Sequence, residues 1–116
     1  MSNKSVLKGL PETFKYQQLK KRLSLAIATS VNDVERFKIG KTGQTIDDRY
    51  SKSTYKDEYK GIVSIYTSEN PDEISRLEAD LNKEFKKHPK CDNDRTTEKD
   101  DMTDSEGEYT LYIVWK

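Results

Sequence analysis

The feature of this sequence that most constrains its fold is one amphipathic helix, NPDEISRLEADLNKEFKK, at residues 70–87. Asn70 is a strong helix N-cap, and Pro71 suits the first helical position. Four apolar side chains then recur at helical spacing and form a single stripe: Ile74, Leu77, Leu81 and Phe85. A helix with one apolar stripe buries it against another layer, so the rest of the chain is expected to supply that layer.

Four other segments have the pattern of β-strands. Residues 23–31 (LSLAIATSV) and 36–40 (RFKIG) alternate with period two, which predicts an antiparallel hairpin. Residues 61–68 (GIVSIYTS) and 109–116 (YTLYIVWK) are rich in β-branched and aromatic residues, and the second is expected to return to the sheet. With a short helix at 11–23, we predict an α+β fold with a small mixed or antiparallel sheet of three to four strands flanked by helices.

The charges are distributed unevenly, although the net charge is zero. Residues 92–108 contain eight acids and two bases, so the rest of the chain carries +6. A basic body suits a polyanionic partner, but a solvated lysine-rich surface beside an acidic loop explains the same charges. At 116 residues we expect one domain at 23–116, preceded by an N-terminal arm and short helix at 1–22, with an acidic loop at about 90–108.

The sequence lacks the features of a secreted or membrane protein. A single cysteine, Cys91, rules out an internal disulfide, and one histidine, His88, does not make a zinc-binding set. No run reaches the ~18 apolar residues of a membrane span. The first residues, MSNKSVLKGL, lack the apolar segment of a signal peptide. We expect a soluble cytoplasmic protein, or one that is intracellular in a virus-infected host.

Glu78 does not fit the apolar stripe of the predicted helix. It stands four residues after Ile74, where a hydrophobic side chain is normal. A carboxylate there costs free energy unless a cation, a metal or hydrogen-bond donors compensate. The plainer explanation is a boundary glutamate that bends out to solvent.

A second candidate region is FKIGKTGQTIDDRY at residues 37–50, where a strand leads into a glycine loop and a helix start. Arg49 has the forked group that grips phosphate, and Lys38 and Lys41 flank Gly40. A surface salt bridge and ordinary edge-strand lysines explain these residues equally well. A nucleotide-binding P-loop is excluded, because position 35 is glutamate where that motif needs glycine.

Taken together, these two segments resemble the GIY-YIG nuclease superfamily, most closely the small phage-type branch whose second signature strand reads YKIGKT. Lys38-Ile39-Gly40 takes the place of the Tyr-Ile-Gly triplet. Arg49 and Glu78 take the places of the family's arginine and metal-binding glutamate, and Asn93 lies near its later asparagine. The first triplet, Gly-Ile-Tyr, would lie in SLAIATS, which has no tyrosine, and the histidine of the family's helix is Asn82.

The resemblance implies a GIY-YIG-like sheet and metal-assisted hydrolysis of DNA phosphodiester bonds. Glu78 would hold one divalent ion, Mg²⁺ or Mn²⁺, with the scissile phosphate, and Arg49 would stabilise charge on the phosphate oxygens. Because both signature tyrosines are missing, the base would be Lys38, Lys41 or a tyrosine from elsewhere. The expected substrate contacts are Gly40, Thr42, Tyr50, Tyr55 and Asn93.

The leading hypothesis is therefore a DNA endonuclease, with RNA as an open alternative substrate. The competing hypothesis is a catalytically impaired module that keeps the scaffold and binds nucleic acid or a protein. A chain of this size has no room for a recognition domain, so a homodimer or a partner would direct it. The acidic segment 92–108 would then bind a protein partner or fold back over the basic site.

Overall fold

The computed structural model describes residues 12–43, 45–46, 50–51, 55–92 and 107–116. In chain order these form α1 (Glu12–Ser30), β1 (Phe37–Thr42), the short α2 (Tyr55–Glu58), β2 (Gly61–Ser68), α3 (Pro71–Phe85) and β3 (Tyr109–Trp115). The predicted α+β class is confirmed. Within these ranges no helix combines the length and the apolar character needed to cross a membrane.

The three strands form one antiparallel sheet in the order β1-β3-β2, so the last strand of the chain lies in the middle. Residues 111–114 of β3 are all buried, because an uninterrupted apolar run suits a strand that is covered on both faces. In β2 the register to β3 shifts between Ser64 and Tyr66, which marks a β-bulge.

Helix α3 is as predicted from its cap and its stripe. The side chain of Asn70 accepts hydrogen bonds from the backbone N–H groups of Asp72 at 2.9 Å and Glu73 at 3.4 Å. The four stripe residues are buried against one face of the sheet, which contributes Phe37, Ile39, Leu111 and Ile113 to this main core. Fully burying each aliphatic side chain of this kind contributes roughly 1.5–3 kcal/mol.

The strand predicted at residues 23–31 is wrong, and with it the hairpin to β1. These residues form the second half of α1, and the division proposed between residues 22 and 23 lies inside this helix. Leu23, Ile27 and Val31 recur every four residues as well as on alternate positions, and all three are buried. In a strand, Leu25 would share a face with Leu23 and Ile27, but in the helix it is 69% exposed. The alanines between them favour helix, since alanine is the best helix former.

Helix α1 is attached to one flank of α3 by polar contacts. The hydroxyl of Tyr16 donates to Asp80 Oδ2 at 2.6 Å, and the guanidinium of Arg76 lies 3.9 Å from the centre of the Tyr16 ring. The hydroxyl of Ser24 donates to the carboxylate of Glu84. Burial, followed by the contact with Asp80, raises the pKa of Tyr16. This arrangement leaves the opposite flank of α3 beside β1.

A smaller cluster covers the other face of the sheet. Tyr59, Tyr112 and Val114 are buried there, with Ile46, Tyr50 and Ile62 packed against them. The hydroxyl of Tyr50 donates to the backbone carbonyl of Tyr59 at 2.6 Å. Ile46, Tyr50 and Tyr59, which lie between β1 and β2 in the chain, therefore pack on the face of the sheet that α3 does not occupy.

Candidate functional site

The flank of α3 that faces β1 carries the residues that the sequence singled out. Lys41 Nζ lies 3.4 Å from Ser75 Oγ, and the side-chain amide of Asn82 donates to the carbonyl of Ile39 at 3.3 Å. These two contacts attach α3 to β1 on either side of Glu78, because positions 75, 78 and 82 share one helix face. We call the resulting group the edge cluster: Lys38, Lys41, Ser75, Glu78 and Asn82.

Glu78 is the electrostatic centre of the edge cluster. Its side chain is half-buried, and burial raises the pKa of the carboxyl, while the charges of Lys41 and Lys38 act in the opposite direction. In the described part of the chain no group donates a hydrogen bond to Glu78 or forms an ion pair with it. A half-buried acid with a perturbed pKa beside two cations is typical of a functional site.

The edge cluster does not form a complete metal cage. Among the residues that the structure describes, no three His, Cys, Asp or Glu side chains are grouped to hold a metal ion. Glu78 supplies one carboxylate, and Mg²⁺ is often held by one or two carboxylates with water and substrate phosphates. The donor set therefore fits an ion that arrives with a phosphate and does not fit a preformed structural site.

The two lysines whose charges act on Glu78 lie on different faces of β1. Lys41 is on the side of α3, as its contact with Ser75 requires. Lys38 alternates with the buried Phe37 and Ile39, so it belongs to the opposite face. Its charge still acts on Glu78, because β1 is an edge strand and the helix flank lies beside that edge.

Several predicted substrate contacts lie elsewhere or outside the described residues. Thr42 is fully buried opposite Thr110, and Tyr50 packs on the far face with its hydroxyl bonded to Tyr59. Arg49 and Asn93 lie outside the described residues, as does the side chain of Tyr55. The structure therefore brings together Lys38, Lys41 and Glu78 of the predicted set, next to Gly40.

Sequence reasoning missed Ser75 and Tyr112. Tyr112 is opposite Gly40 in the β1–β3 register, and a Cβ at Gly40 would lie 2.5 Å from its hydroxyl oxygen. The tyrosine ring therefore lies over the glycine, on the face of β1 to which Lys38 belongs. Glycine within a strand does signal close approach by another group, but the sequence does not say which group approaches.

Beyond the edge cluster, residues 90–92 cover the beginning of β1. The N–H of Phe37 donates to the carbonyl of Lys90 at 2.9 Å, and the N–H of Asp92 donates to the carbonyl of Phe37 at 2.7 Å. Arg36 and Tyr59 both donate to the carboxylate of Asp92. Burial raises the pKa of Asp92, but these hydrogen bonds outweigh it and leave the pKa below its ordinary value.

Comparison with protein-family models, with curated proteins and with solved structures finds no match to this chain. The structure itself defines an α+β protein whose candidate site lies where the long helix α3 meets the edge strand β1.

Proposed function

We propose that this protein is a small metal-dependent endonuclease of the GIY-YIG type that hydrolyses phosphodiester bonds in DNA. The observation that carries the proposal is the position of Glu78 beside Lys41 and Lys38. The strand that resembles the family's second signature and the helix that resembles its glutamate helix lie side by side. A small antiparallel sheet with flanking helices is compatible with that superfamily.

The strand order supports a specific version of this proposal. The resemblance leads one to expect the first signature strand before β1, where this chain forms α1. The antiparallel neighbour of β1 is instead β3, which carries Tyr112 against Gly40. We propose that β3 takes the place of the first signature strand in a rearranged chain order, with Tyr112 packed against Gly40 as a structural residue.

The residues of the edge cluster suit the handling of a phosphate. Lys41 and Lys38 attract and orient the anion, and Ser75 lies against the ammonium group of Lys41. Asn82 keeps α3 against β1 and so holds Glu78 in position. Glu78 would bind Mg²⁺ or Mn²⁺ together with a phosphate oxygen. When bound, the ion would act as a Lewis acid towards the phosphate and its attacking water.

Hydrolysis needs one further group to accept a proton. Water adds to phosphorus, the bond to the leaving ester oxygen breaks, and the water proton passes to the base. Lys38 and Lys41 are the candidates in the edge cluster, because Tyr112 is buried on the face of the sheet that α3 does not occupy. A positioned base supplies ~10²–10⁴-fold of rate, so the proposal requires one of these groups to matter.

The experiment is nicking of supercoiled plasmid in Mg²⁺ or Mn²⁺, comparing the wild type with Glu78→Ala and Arg49→Ala. We expect the wild type to nick and both variants to lose most of the activity. Equal activity in all three would contradict the proposal, because a contaminating nuclease would then explain the nicking.

The second candidate function is a module that binds nucleic acid without cutting it. It is favoured by Lys38, which stands where the resemblance calls for a tyrosine, and by the single carboxylate of the edge cluster. It predicts salt-sensitive DNA binding that survives Glu78→Ala, with no cleavage in either metal. Measuring binding and nicking on the same samples therefore separates the two functions.

A further inference from the structure

The two outer edges of the sheet, on β1 and β2, differ in the groups that cover their backbone and in their charges. On β1, Asn82 donates to the carbonyl of Ile39, and the segment ending at Asp92 bonds both backbone groups of Phe37. Three cationic side chains also lie along this edge strand and its start: Arg36, Lys38 and Lys41. Covering groups and charges of this kind prevent an edge strand from pairing with another chain.

The outer edge of β2 lacks hydrogen-bonding cover and charges within the described residues, although helix α1 packs against β2 beside α3. Among the residues that the structure describes, no group outside the sheet forms a hydrogen bond to the backbone of residues 61–68. The strand, GIVSIYTS, is eight residues long and contains neither a charged residue nor a proline. Val63 is 43% exposed on it. An uncharged, β-rich edge of this length is a template for pairing with an extended strand.

We propose that β2 pairs antiparallel with β2 of a second copy of this chain, about a two-fold axis, to make one continuous six-stranded sheet. The register that we propose sets Gly61 opposite Ser68 of the second copy. Lys60 then lies opposite Glu69 of the second copy, and the two-fold axis repeats this pair at the other end. A strand edge that binds its own copy is self-complementary, as an isologous interface must be.

The charges flanking β2 favour a second copy in this register. The side chains of Lys60 and Glu69 are exposed, and neither forms an ion pair in the part of the chain that the structure describes. Pairing in this register brings opposite charges together at both ends and leaves no charge between them. A parallel arrangement would set each lysine against a lysine, and like charges directly opposite each other are destabilising.

Because β2 contains a bulge, the proposed register sets residues opposite each other that point to the same face of the sheet. Directly opposite residues of an antiparallel pair point to the same face, and here Val63 would face Tyr66 of the second copy. In the β2–β3 register Val63 is opposite Ile113 and Tyr66 is opposite Leu111, two residues of the main core. Both side chains therefore point to the α3 side, although they are three positions apart. The pairing would cover Val63 with the Tyr66 ring.

The proposed dimer does not depend on nuclease activity. It is tested by measuring the mass of the protein in solution and by exchanging the charges of Lys60 and Glu69. Sedimentation equilibrium of the full chain should show reversible association from 13.5 kDa to twice that mass. Lys60→Glu and Glu69→Lys should each raise the dimer dissociation constant roughly tenfold, because like charges then meet at both ends. The double exchange, Lys60→Glu with Glu69→Lys, should restore the wild-type constant.

A matched pair of lysine substitutions separates the effect of a charge on the β2 edge from the effect of a charge elsewhere on the surface. Val63→Lys places a charge on the proposed interface, whereas Leu25→Lys places one on the exposed face of α1. We expect the first to abolish the dimer and the second to leave it unchanged. A wild-type chain that stays monomeric up to about 1 mM would overturn the proposal. A dimer that ignores both Val63→Lys and the charge exchange would also overturn it.

Discussion

The ring of Tyr112 lies directly over Gly40 on the neighbouring strand. A Cβ at position 40 would lie 2.5 Å from both Cζ and the hydroxyl oxygen of Tyr112, which is far inside van der Waals contact. The smaller cluster of Tyr59, Tyr112 and Val114 therefore depends on glycine at position 40, because the buried tyrosine fills the space that a side chain would take. This contact joins the KIG segment of β1 to the central strand β3.

Gly40→Ala should destabilise the protein by roughly 1–3 kcal/mol, the usual cost of forcing extra volume into a packed site. Urea unfolding followed by circular dichroism measures the loss. Tyr112→Leu, made alone and with Gly40→Ala, completes a double-mutant cycle. We expect the alanine to cost much less in the leucine background. Strictly additive costs would mean that the two residues are not in contact.

Tyr112→Phe should leave the plasmid nicking rate close to that of the wild type, because the phenol is buried on the face of the sheet opposite α3 and the ring over Gly40 is kept. Its free energy of unfolding should fall by only about 1 kcal/mol, because the change removes one buried hydroxyl and keeps the ring. Comparing nicking rates with urea unfolding separates catalysis from packing. A loss of nicking of about 10²-fold or more without a matching loss of stability would contradict this expectation and give the phenol a catalytic role.

Glu78→Gln should stabilise the protein at neutral pH, by roughly 0.5–1 kcal/mol. Burial raises the pKa of Glu78 in the folded state, so the folded chain holds this proton more tightly than the unfolded chain. Wild-type stability is therefore lost as the pH rises from about 4.3, the ordinary glutamate value, through the folded pKa. Thermal unfolding between pH 4 and pH 7, scanned for both proteins, measures the difference. A variant less stable than the wild type at pH 7 would contradict this account.

Asp92→Asn should cost about 1 kcal/mol at pH 7 by weakening the contacts with Arg36 and Tyr59. The folded pKa of Asp92 is lowered, so its contribution is present above the unfolded value of about 3.9 and is lost as the pH falls further. Acid unfolding of the wild type should therefore be steeper than that of the variant. Identical acid profiles for the two proteins would show that Asp92 contributes nothing.

The parts of the fold that follow from local rules could be predicted from the sequence. The cap at Asn70 and the stripe from Ile74 to Phe85 act within one helix, and both are present. The half-buried position of Glu78 also follows from helical spacing. The helix at residues 23–31 could not be told from a strand by its pattern, because leucine, alanine and isoleucine at this spacing satisfy both the helical and the strand period.

The rest of the site depends on how distant segments come together. The apolar run at residues 111–114 suits a strand in the middle of the sheet, but nothing in it indicates that Tyr112 lies over Gly40. The same holds for Ser75, which matters only because Lys41 arrives from β1. Strand order is a tertiary choice, so these neighbours appear only once the chain has folded.

The most direct test of the central claim is the single-turnover nicking rate of Glu78→Gln in Mg²⁺, measured beside Glu84→Gln. Both substitutions remove one carboxylate from α3, but Glu84 lies on the opposite flank against Ser24. We predict a loss of about 10²-fold or more for Glu78→Gln, since the proposed metal ligand is gone, and a nearly unchanged rate for Glu84→Gln. Equal rates for the two variants, or no nicking by the wild type, would contradict the account.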